Sequence, residues 1–213
     1  MAESIAPEYA RFVASERRAQ RLPEAPVAMA SGDMAEPIFI SSRVAPELLA
    51  VAAKRSVGLF HATKRSEVVW TSGDSELAVS LDDVRMETSH GLIHVTIPVR
   101  CDQTGREEIE VLFAVGADDR PAGMYASTTR LPRGNPIIVE VWGEALVAHA
   151  WQCVLGMISG IAGAVGNDER GNVLVPAELI ASDDGLRVLP MARHRFSGSS
   201  GLAPVRIRPG RPG

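Results

Sequence analysis

The chain has 213 residues, 46% hydrophobic and 23% charged, which is enough to bury a sizeable core without disulfides or metals. Aromatics make up only 5%, so that core must be built from Val, Ile, Leu and Ala. The net charge is −4, but residues 193–213 hold Arg193, Arg195, Arg206, Arg208 and Arg211 and no acid, leaving 17 basic against 26 acidic residues in an acidic body that argues against nucleic-acid binding.

In chain order, residues 7–21 fit a short amphipathic helix. Pro7 suits a first helical position, and Ile5, Tyr9, Phe12 and Val13 share one side. It is read either as a docking arm onto another subunit or as a helix packed on its own domain. Residues 22–37 are rich in Pro, Ala and Gly and read as a linker. A first strand is expected at 37–41, a helix at 46–55 with Lys54 and Arg55 at its C-terminal end, and a strand at 58–62.

The pattern then changes to period two. Residues 67–70 precede a turn at Ser72-Gly73-Asp74, and Leu77, Val79 and Leu81 alternate with polar neighbours. Ile93, Val95, Ile97, Val99 and Cys101 form one apolar row, and Ile109, Val111, Phe113 and Val115 form the returning row. Turn signals at 89–91, 103–105 and 118–121 separate the rows. This spacing predicts an antiparallel meander with one dry face. The chain then leads through residues 123–129 into a loop at 131–136. The β-branched stretch 136–142 is read as a strand, with Gly143 leading into a helix, although Asn135-Pro136 also has the form of a helix start. Short strands are expected at 173–176 and 186–190, flanking 177–181, and the end of the chain has the composition of a basic disordered tail.

Residues 145–167 contain no Asp, Glu, Lys or Arg. A stretch of 145–165 is long enough to cross a bilayer, and Gly156-x-x-x-Gly160 is a close-packing motif. His149 and Gln152 inside it and the absence of flanking lysines favour a core helix over a membrane span. On that helix Leu146, Ala150, Cys153, Val154, Met157, Ile161 and Ala164 form a bulky side. His149, Gln152, Gly156, Gly160 and Gly163 form a smooth stripe, which something must approach closely.

No phosphate-binding loop, dinucleotide fingerprint, nucleophile elbow or zincin motif is present. Cys101 and Cys153 are isolated, which fits a reducing cytoplasm and gives no metal site. His90 and His94, four apart on a strand, would stand about 13 Å apart, too far to share a metal. Asp82-Asp83, Asp118-Asp119 and Asp183-Asp184 read as strand or turn residues rather than paired catalytic carboxylates. No catalytic residue, cofactor or metal is assigned. The first residues carry acids and no apolar stretch, so no secretory signal is expected.

The expected fold is α+β: an antiparallel β-meander packed on one long apolar helix with short flanking helices. The division is an N-terminal helix and linker (1–35), the α+β domain (36–192) and a basic tail (193–213). The outline resembles hot-dog and helix-grip folds, with no motif to carry the likeness. The favoured function is a non-enzymatic interaction or assembly module of a bacterial-type cytoplasmic complex, with a protein partner or a homo-oligomer and no nucleic acid. The alternatives are a pocket protein or hot-dog-like enzyme for an apolar or acyl ligand held between helix and sheet, and a single-span membrane protein. The candidate ligand-binding residues are His149, Gln152, Gly156, Gly160, Trp142 and Trp151.

Overall fold

Ile93 stands opposite Phe113, Val95 opposite Val111 and Ile97 opposite Ile109, so the two apolar rows of the sequence meet across one hairpin. All six side chains are buried. Each contributes about 1.5–3 kcal/mol of burial, which is why the register is unambiguous: a slip of one residue would turn every one of them outward. The structure is a computed structural model, and it describes residues 6–19, 37–57, 66–119, 128, 131–166 and 173–193. The linker at 22–36, the strand at 58–62, most of 123–129, the turn at 167–172 and the tail beyond 193 lie outside the described residues.

The elements run α1 (Pro7–Ala19), β1 (Ile38–Ser41), α2 (Ala45–Ser56), β2 (Glu67–Ser72), β3 (Ser75–Ser80), β4 (Arg85–Ser89), β5 (Leu92–Cys101), β6 (Gly105–Ala114), α3 (Pro136–Val165), β7 (Val173–Ser182) and β8 (Gly185–Arg193). The fold is α+β, with two antiparallel sheets and one long apolar helix on the larger sheet. That sheet holds β2 to β6. β6 lines one flank of β5, and β3 and β4 share the other flank end to end: β3 pairs at Val99 and Arg100, β4 at Leu92 to Thr96. The break between them leaves Ile97 and Pro98 without a ladder partner on that side. A proline, which lacks an N–H, is therefore tolerated in this central strand. The smaller sheet, β1-β8-β7, joins the larger through backbone bonds from Gly91 to Ala181 and from Ala181 to Gly116.

Two sequence expectations change. Residues 136–142 are not a strand: α3 starts at Pro136 and runs 30 residues. The Asn135 side chain accepts a hydrogen bond from the Ile137 N–H at 3.1 Å, and its amide donates to Glu107 at 3.1 Å. That cap and the proline at the first turn outweigh β-branched propensity, because a helix also sends Ile138 and Trp142 into the core. Nor are residues 177–181 a separate segment. β7 runs continuously, with a bulge between Pro176 and Glu178 that lets Pro176 sit opposite Pro190.

α3 is the centre of the core. Twelve of its residues are buried, among them Leu146, Cys153, Met157 and Ile161. α2 packs along it through Leu48, Leu49, Ala52 and Ala53. α1 packs on α3 and α2 of its own chain, burying Tyr9, Phe12 and Val13 in the same hydrophobic cluster.

Candidate functional site

The six candidate residues fall in three places along α3. His149 and Trp142 lie one above the other at i and i+7 and meet Trp70 of β2. The Trp70 ring centre is 5.4 Å from His149, edge-on, and 6.3 Å from Trp142. Trp151 is on the other flank, 5.1 Å from Phe113 of β6. Gln152, Gly156 and Gly160 line a groove of about 470 Å³ between α1, α2 and α3, together with Gly163. The stripe drawn from helical spacing is thus divided: His149 is buried under the sheet and Gln152 is exposed.

His149 and Cys153 would suggest an imidazole–thiol pair, since Sγ is 3.6 Å from Nε2. Their electrostatics oppose it. Burial among apolar side chains lowers the His149 pKa to about 4. Burial raises the Cys153 thiol to about 12, against a smaller lowering from its bond with Ser56. Both groups are neutral near pH 7, so the thiolate that nucleophilic chemistry requires is absent.

The groove is built by close approach. A β-carbon at Gly160 would overlap the ring of Tyr9, while one at Gly156 would meet the Ala52 β-carbon at an ordinary 3.5 Å. The Tyr9 hydroxyl donates to the Leu48 carbonyl at 3.4 Å, and burial holds its phenol well above the usual range. Glycine at 160 is therefore explained by helix packing. Arg55, Ser56 and Ser159 complete the polar rim.

Beyond the groove, α3 shows solvent a face that follows the helical repeat: Ile137, Val141, Ala145, Ala148, Gln152, Gly156 and Ser159. Ile137 and Val141 are 50% and 48% exposed, and Leu131 just before the helix is 74% exposed. Glu140 and Glu144 flank this face at its N-terminal end, and no charge interrupts it from Ala145 to Ser159. Reading 136–142 as a strand hid Ile137 and Val141; their i, i+4 spacing was the available signal. Tyr9 and Arg55 come from distant elements, and no local pattern links them to α3.

The outer face of the meander is a second concavity, about 860 Å³, around the break beside Pro98. Its charges are largely engaged with one another. Arg100 pairs with Glu67 at 3.2 Å, Arg85 with Glu108, and Lys54 with Asp82. His94 meets Glu110 at 2.9 Å, and that bond, helped by Arg133, holds the Glu110 carboxyl below its ordinary range. His90 pairs instead with Asp119 at 3.0 Å, so the two histidines serve different carboxylates. Among the described residues no three His, Cys, Asp or Glu side chains converge to hold a metal.

Comparison with protein-family models, with curated proteins and with solved structures finds no match. The chemistry of the surface alone carries the functional argument.

Proposed function

We propose that the protein is a non-enzymatic assembly module of the cytoplasm that docks an uncharged helical surface onto the outer face of α3. The observation that carries this is the exposed, charge-free run from Ala145 to Ser159 on a helix whose other side is core. A solvated helix face ordinarily carries charged residues, and this one continues at its N-terminal end into the exposed side chains of Ile137 and Val141. The neutrality of His149 and Cys153 supports a role without covalent chemistry. Twelve buried residues on α3 favour a core helix over a bilayer span.

The test is the size of the protein in a gently prepared extract of its source, compared with an Ala148→Glu variant expressed at the same level. An assembly larger than the monomer that the variant loses supports the proposal. A monomer in both opposes it. The groove beside Gln152 favours one other reading, a site for a small apolar ligand. Native mass spectrometry of the source protein would then show a monomer carrying a fixed excess mass.

A further inference from the structure

β2 is the end strand of the larger sheet. It pairs with β3 in a regular register of six residues, and among the described residues no strand lies on its other side. The other margins of that sheet are occupied: β6 is tied at Glu110 to Arg133, and β4 packs against α2, β7 and β8. The two-residue turn Gly73-Asp74 makes Ser72 and Ser75 a hydrogen-bonded pair. By alternation the amides of Val68 and Trp70 point to β3, and those of Glu67, Val69 and Thr71 point to the open edge. This edge carries none of the usual safeguards against pairing: no proline, no lysine and no bulge. Its inner face is unfinished too. Val68 and Trp70 stand opposite the fully buried Val79 and Leu77, yet are themselves only half-buried.

What fits a strand edge is another strand, because only an extended backbone meets its alternating donors and acceptors. Residues 194–213 lie beyond the described residues, and their sequence holds a period-two run, Val205-Arg206-Ile207-Arg208, with a proline on either side. Independently of the assembly reading, we propose that this run closes the edge of β2 in its own chain, antiparallel, with Arg206 opposite Val69. Val205 and Ile207 then fall on the inner face beside Trp70 and Val68, and both arginines on the outer face. Arg206 and Arg208 supply the N–H groups that pair with Val69 and Glu67. Pro204 and Pro209, which have no N–H to give, fall opposite Thr71 and Ser66 and stop the ladder where β2 itself ends. Charge selects both the direction and the edge. Arg208 comes opposite Glu67, whose carboxylate is 44% exposed and meets Arg100 through Oε2; a parallel run would set Arg208 against Thr71. β1 and the part of β8 beyond Val188 also lack a second partner strand among the described residues, but they carry no acid. The reach is sufficient. Arg206 lies thirteen residues beyond Arg193, about 43 Å when extended, against a radius of gyration of about 15 Å for a domain of this size.

The experiment follows hydrogen exchange of single amides in the full-length chain by NMR. The Val69 and Thr71 amides are expected to exchange about tenfold or more slowly in the parent protein than in a Val205→Asp/Ile207→Asp variant. Those of Val68 and Trp70, already bonded to β3, are expected to match in the two proteins. Equal exchange of Val69 and Thr71 in the two overturns the proposal. Direction and source are read by disulfide trapping at low protein concentration in a Cys101→Ser background. Glu67→Cys with Arg208→Cys in one chain is expected to close a bond at the mass of one copy, and Thr71→Cys with Arg208→Cys is not. Closure by the Thr71→Cys pair overturns the antiparallel direction. A bond of the Glu67→Cys pair that links two chains overturns the same chain as the source of the added strand.

Discussion

The ring of Tyr9 occupies the space that a side chain at Gly160 would need. This contact sets the distance between α1 and α3, and with it the width of the groove. Gly160→Ala is expected to lower stability by about 1–3 kcal/mol, the cost of overpacking a filled contact. Gly156→Ala is expected to be neutral or to add up to about 1 kcal/mol, because alanine is the better helix former and the Ala52 contact at 3.5 Å leaves room. Urea unfolding of the two variants beside the parent protein checks both signs.

His149 makes stability depend on pH in a defined window. Its pKa is about 4 in the fold against an ordinary 6.5. Between those values the unfolded chain binds a proton that the folded chain does not, so stability falls as pH drops from about 6.5 to about 4. The loss due to this residue is about 3 kcal/mol, from the 1.36 kcal/mol carried by each pH unit. His149→Phe is expected to remove that part of the slope. The difference between the two denaturation series, measured from pH 7.5 to 4, isolates it from the carboxylates.

The two cysteines should separate in a thiol-labelling experiment. Cys101 is half-buried beside the β5–β6 turn, and its hydrogen bond with Thr104 lowers its pKa. Cys153 is fully buried and its thiol is raised to about 12. At pH 8 one equivalent of a maleimide is expected to react quickly, on Cys101. Cys153 is expected to label only as the fold opens, and at the same slow rate in a Cys101→Ser variant.

Asn135 holds the start of α3 by its cap on Ile137 and its bond to Glu107. Asn135→Ala is expected to cost about 1 kcal/mol, the usual value for a lost N-cap. Helix content by circular dichroism should scarcely change, because Ile138 and Trp142 keep the first turns docked on the core.

The meander was legible in the sequence because period two is a strong signal when one face is dry. The rows headed by Ile93 and Ile109 are plain from their spacing, and the structure sets them face to face across the β5–β6 hairpin. The first turns of α3 were not legible, since PIIVEVW satisfies a strand by propensity and a helix by its Asn-Pro cap, and only the core at Ile138 and Trp142 decides. Glycine spacing correctly indicated a close approach at Gly160, but the group approaching is Tyr9, about 150 residues away in sequence. His149 left the stripe for the same kind of reason: Trp70 of an edge strand and Cys153 of its own helix surround it. Helical spacing fixes which residues share a face, whereas which face meets solvent depends on elements elsewhere in the chain.

The claim that the outer face of α3 is an interface is tested most directly by hydroxyl-radical footprinting of the protein in its native assembly, beside the Ala148→Glu variant. The account expects Ile137 and Val141 to be protected in the parent protein and to become reactive in the variant, while Val69 of β2, 55% exposed, reacts equally in both. Equal reactivity of the α3 residues in the two proteins would contradict it.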